Sequence, residues 1–130
     1  MNVAEKRKHP RVKIRSLISY VCVDEDGRPI KNLMGTAIDI SQGGLLLETT
    51  HQIEPGAVIL ITTDDQDRLI EINGKAAYCR EIGGGKFYVG IRLQGSNTEN
   101  IQFVKSMIRA YHYRRSSDQS KQPQLSQVGS

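Results

Sequence analysis

Tryptophan is absent from this 130-residue chain, phenylalanine occurs twice, and aromatic residues make up 5% of it. Its core must therefore be mostly aliphatic. Long apolar runs are missing as well. No stretch reaches the roughly 18 residues that a membrane helix needs, so no membrane insertion is expected. The basic N-terminus is not followed by an apolar segment, so no signal peptide is expected. The two cysteines, Cys22 and Cys79, lack C-x-x-C spacing. That argues against a metal site and a disulfide scaffold, and for a reducing, cytoplasmic compartment. His9, His51 and His112 are scattered, and no nucleophile–base motif accompanies them, so the chain reads as a non-enzyme without a cofactor. The length suits one domain.

The net charge of +4 hides an uneven distribution. Residues 1–15 carry +5, residues 105–115 carry +4, and residues 16–104 carry −5. Basic flanks attract an anion: a nucleotide, a nucleic acid or a membrane surface. Ordinary solvated charge explains the C-terminal run equally well.

Residues 1–11 lack apolar periodicity and read as a flexible basic arm, which Pro10 extends into the first strand. Val12, Ile14, Ile18, Tyr20 and Cys22 share one strand parity,. Asp24 to Gly27 forms a hairpin loop with Gly27 left-handed, and residues 30–40 return. Short strands follow at 45–48 and 57–62, with turns at Pro55-Gly56 and Asp64 to Asp67. The D-x-D spacing of the latter turn lacks the rest of a calcium loop. In 69–81, Ile70, Ile72, Ala76 and Tyr78 are assigned inward. Gly83-Gly84-Gly85 closes a hairpin, and 87–93 is the last strand, with Gly90 outward as a bare place on the wall. Ser96, Asn97 and Thr98 start a helix whose stripe of Ile101, Val104, Ile108 and Tyr111, with Met107 beside it, ends near Arg114. The expected fold is mostly β: a six-stranded antiparallel barrel with a C-terminal α-helix over 12–114. The Ser- and Gln-rich residues 115–130 are expected to be a disordered tail.

The stretch Asp39-Ile40-Ser41-Gln42-Gly43-Gly44 lies at a corner between two apolar runs. Alternation sends Ile38 and Ile40 to the core and puts Asp39 and Ser41 together on the outer face. The two glycines permit positive φ or a close backbone approach. A carboxylate, a hydroxyl and open N–H groups would suit a flat polar ligand that carries donors and phosphates. On these six residues alone, a self-capping turn that binds nothing is the preferred reading.

A second motif changes the balance. Lys6-Arg7-Lys8-His9-Pro10-Arg11 contains R-x-x-x-R, and D-x-S-x-x-G follows about thirty residues later. Together, Arg7, Arg11, Asp39, Ser41 and Gly44, extended by Gly90, resemble the PilZ domain family, bacterial receptors for the second messenger cyclic di-GMP (c-di-GMP). The resemblance spans roughly residues 5 to 113 and implies the same barrel and helix. It implies c-di-GMP binding by Arg7, Arg11, Asp39, Ser41, Gly43 and Gly44, with Lys6 and Gly90 as secondary candidates. The arginine fork suits the guanine O6/N7 edge, phosphate and stacking. Asp39 would accept from guanine N1–H and its amine. Many relatives carry another arginine where this chain has Lys6, which keeps the charge without the stacking plane.

The resemblance further implies a nucleotide-binding signalling receptor whose arm changes conformation on binding and relays the signal to an effector protein in motility, polysaccharide or secretion output. Two alternatives are a ligand-independent adaptor with a degenerate site and a small barrel for single-stranded nucleic acid. The latter needs outward aromatic platforms, and Tyr88 alone is assigned that role.

Overall fold

The computed structural model describes residues 10–128. Six strands are followed by one helix: β1 (Val12–Val23), β2 (Pro29–Ser41), β3 (Gly44–Thr49), β4 (Gly56–Thr63), β5 (Leu69–Gly83), β6 (Lys86–Leu93) and α1 (Asn97–Val128). All neighbours pair antiparallel, and the strands close into a barrel in the order β1-β2-β3-β6-β5-β4. The strand periodicity and turn chemistry of the sequence account for this order of elements. Gly27 is left-handed at φ 78°, and the β5–β6 turn uses Gly84 and Gly85 at φ 65° and 74°, which suits the right-handed twist of a tight hairpin.

Ile18, Tyr20, Ile40, Leu47, Leu60 and Val89 fill the barrel with essentially no exposure. Burying an aliphatic side chain of this size stabilises the fold by about 1.5–3 kcal/mol. The Tyr20 phenol is matched inside by a 2.7 Å hydrogen bond with the Thr49 hydroxyl, and burial pushes its pKa up.

Helix α1 opens with a capping box. Glu99 N–H donates to Ser96 Oγ at 3.1 Å, and Ser96 N–H donates to Glu99 Oε1 at 2.8 Å,. The helix covers β1, β4 and β5 at one end of the barrel. Its buried stripe is Phe103, Val104, Met107 and Ala110, while Ile101, Ile108 and Tyr111 are only partly covered. The contact face is thus rotated from the expected one. The helical backbone also continues to Val128, past the end expected near Arg114, through residues that were expected to be disordered. Among the described residues no helix is long and apolar enough to cross a membrane.

Two β-bulges decide what the outer wall presents. In β2, Ala37 pairs with Leu47 and Asp39 with Leu46, which leaves Ile38 as the extra residue. Ala37 and Ile40 are therefore the fully buried pair and Ile38 is half-buried, not the Ile38/Ile40 pair that plain alternation gives,. In β5, Ala76 pairs with Ile91 and Tyr78 with Gly90, which makes Ala77 the extra residue. That reverses the parity after Ala76. Tyr78, assigned inward from the sequence, is 47% exposed on the outer wall.

Candidate functional site

The bulges bring two distant side chains onto one row. The pairings Lys13↔Asp39, Asp39↔Leu46, Leu46↔Gly90 and Gly90↔Tyr78 run across β1, β2, β3, β6 and β5. With strands about 4.8 Å apart, Asp39 and Tyr78 stand roughly 14 Å apart on the same outer face. The neighbouring row is Ser41, Gly44, Arg92 and Lys75. These two rows frame an open cleft of about 350 Å³. Leu46, Gly44 and Gly90 line its centre, and Arg11, Ser41, Tyr78 and Arg92 line it from either side.

Asp39 and Ser41 share the outer face as alternation requires, yet both are covered, at 7% exposure each. Asp39 is covered because cations lie over it. Arg11 Nη1 donates to Asp39 Oδ1 at 3.2 Å, and Lys13 Nζ stands 3.9 Å from Oδ2. Arg11 itself remains 42% exposed. The Arg of one motif and the Asp of the other thus meet directly, although 28 residues separate them.

Ser41 closes its own turn. Gly43 N–H donates to Ser41 Oγ at 3.3 Å, and Ser41 Oγ donates to the Gly44 carbonyl at 3.4 Å. The self-capping reading therefore holds for Ser41, whereas Asp39 is turned to cations instead of to its own backbone. Neither Gly43 nor Gly44 has positive φ. Gly44 is needed for close approach, because a Cβ there would run into the Ile91 carbonyl oxygen across the strand pair. The Gly43 carbonyl accepts from Leu93 N–H at 3.0 Å, which ties the turn to β6.

Gly90 does face outward, but it is not bare. The Tyr78 ring lies over it, and a Cβ at Gly90 would collide with that ring. The glycine is a seat for the tyrosine, which still exposes half its surface toward the cleft. Of the sequence candidates, Arg11, Ser41, Gly43, Gly44 and Gly90 line this one cleft and Asp39 is held at its edge. Lys6 and Arg7 lie outside the described residues. Tyr78 and Arg92 line the cleft without having been singled out. Only the bulge re-aims Tyr78, whereas the outward parity of Arg92 is legible in the sequence.

A family model described as PilZ domain matches residues 5–111. Among solved structures, the chain is similar to the PilZ domain with c-di-GMP of YcgR from Escherichia coli, with TM-score 0.60, 13% identity, and coverage of 90% of this chain and 98% of that one. It is also similar to the Bacillus subtilis inhibitor of motility MotI/DgrA, with TM-score 0.56, 14% identity, and coverage of 87% and 52%. The K. pneumonia MrkH–c-di-GMP complex gives TM-score 0.56, 12% identity, and coverage of 87% and 55%. The chain thus spans about half the length of the last two. A search of curated proteins gives no match.

Proposed function

The chain belongs to the PilZ domain family, and on that footing we propose that it is a non-enzymatic cyclic di-GMP receptor whose ligand occupies the cleft on the outer wall of β2, β3, β6 and β5. The observation that carries this reading is the meeting of the two sequence motifs at one place: Arg11 on Asp39, beside a cleft framed by Ser41, Gly43 and Gly44.

The chemistry fits a guanine dinucleotide. Asp39, pre-oriented by Arg11 and Lys13, accepts from the guanine N1–H and amine once the arginine swings onto the base edge or a phosphate. Tyr78 offers a stacking face, and base–aromatic stacking contributes about 1–3 kcal/mol per base. Charge-assisted hydrogen bonds contribute about 1.5–3 kcal/mol each, and micromolar binding needs about 8 kcal/mol net. Arg11, Asp39, Tyr78 and the arm's Arg7 together reach that range, and no single residue does.

In this reading the basic arm, with Lys6 and Arg7, closes over the dianion and neutralises it. The surface so formed then recruits or releases an effector protein in the cytoplasm.

The test is calorimetric titration with cyclic di-GMP of wild type, Arg7→Ala and Asp39→Ala, with GTP and a short oligonucleotide as controls. Saturable binding of cyclic di-GMP alone, lost in both variants, is expected. A folded wild type that binds no cyclic di-GMP would overturn the receptor reading in favour of a ligand-independent adaptor. Salt-steep binding to the oligonucleotide would favour the nucleic-acid barrel instead.

A further inference from the structure

Basic residues on this side of the barrel are mostly matched. Arg11 and Lys13 lie on Asp39, Arg15 and Lys86 lie on Glu48, and the Arg80 guanidinium sits 6.0 Å from the centre of the Tyr88 ring. Arg92 and Lys75 are different. They are direct cross-strand partners on the outer face, both exposed, and neither has a carboxylate partner among the described residues. Two like charges directly opposite each other in a sheet are destabilising. On the other side of Arg92 stands Gly44, and beyond it Ser41. The ground between the Ser41 hydroxyl and the Arg92 guanidinium is therefore backbone alone, and it is kept low because Gly44 admits no side chain. Arg92 lines the same cleft as Arg11, two strands along from Ser41, a span of roughly 10 Å.

We propose that Arg92, backed by Lys75, is a second anion subsite of this cleft. It receives the phosphate distal to the Arg11–Asp39 pair and makes the site selective for a ligand with two anionic groups. The inference rests on the receptor reading above and adds to it a residue that belongs to neither sequence motif. An incoming phosphate turns the Arg92–Lys75 repulsion into shared attraction, so the cost carried by the free protein is released on binding. Phosphate accepts the arginine fork bidentately and a lysine as a point charge, so lysine here should keep part of the affinity. A contact to a guanine edge would instead demand the bidentate arginine and lose all of it.

The experiment titrates cyclic di-GMP into wild type, Arg92→Gln, Arg92→Lys and Lys75→Gln at several salt concentrations. Arg92 and Lys75 are exposed on strand faces, and circular dichroism confirms that each variant folds. Arg92→Gln is expected to weaken binding about 10- to 100-fold, the equivalent of one charge-assisted hydrogen bond, with a deficit that shrinks as salt is raised. Arg92→Lys should fall between wild type and Arg92→Gln, and Lys75→Gln should show a smaller loss than Arg92→Gln. Wild-type affinity in Arg92→Gln would overturn this subsite while leaving the receptor reading intact. A loss in Arg92→Lys as large as in Arg92→Gln would overturn the phosphate assignment in favour of a base-edge contact. Absence of binding by wild type would remove both readings together.

Discussion

Single residues decide the shape of the cleft, and two glycines do so in opposite ways. At Gly44 an added methyl would meet backbone, the Ile91 carbonyl, which cannot move without opening the β3–β6 pairing. At Gly90 the obstacle is a side chain, the half-exposed Tyr78 ring, and not backbone. Gly44→Ala is therefore expected to cost about 1–3 kcal/mol of stability, the usual range for overpacking, whereas Gly90→Ala should leave the melting temperature nearly unchanged. Ligand affinity should separate from stability at the second site. Gly90→Ala should weaken cyclic di-GMP by displacing the stacking ring, and the loss should vanish in a Tyr78→Ala background. Thermal denaturation and a double-mutant cycle of affinities check both statements. A Gly90→Ala protein that binds like wild type would show that the seat of Tyr78 is irrelevant to the ligand.

At the scale of elements, strands, turns and helix start were legible because each has a local cause. One turn even occurs twice. Asp24 and Asp64 each accept N–H bonds from residues two and four positions on, and the left-handed position is Gly27 in the first turn and Asp67, at φ 61°, in the second. The second turn also anchors α1, since the Arg114 guanidinium donates to Thr63 and to the Asp64 carbonyl. What the sequence did not disclose were the bulges after Ala37 and Ala76. A bulge is one residue too many for a pairing, so it depends on the partner strand and leaves no signal in its own alternation. Hence Tyr78 reads as inward from the sequence and is found outward. The rotated face of α1 has a similar origin, since Phe103 and Ala110 are chosen by the barrel end they meet and not by the stripe alone. Backbone N–H bonds from Arg68 and Gln66, with the Arg68 guanidinium, hold the Asp64 carboxyl below its usual pKa. A depressed carboxyl pKa contributes stability above the unfolded value of about 3.9, and that contribution is lost as pH falls through the folded pKa. Asp64→Asn should melt below wild type at neutral pH, and the gap should narrow as the pH drops below about 4. A gap independent of pH in calorimetric melting would contradict this.

Over the whole molecule, charge and geometry point to the same side. The acidic middle of the chain folds into the barrel, while Arg11 and Lys13 gather at the Asp39 edge of the cleft, with Arg92 and Lys75 across it. Away from the cleft, by contrast, the wall exposes Leu17 of β1, Met34 of β2 and Leu69 of β5. Whether this one face of the barrel takes the ligand is tested by titrating isotope-labelled protein with cyclic di-GMP and following each backbone amide by NMR. Shifts are expected to concentrate at residues 11–13, 39–46, 77–79 and 90–92, with Leu17, Met34 and Leu69 unmoved. Shifts centred on Leu17, Met34 and Leu69, or none at saturating ligand, would contradict this placement.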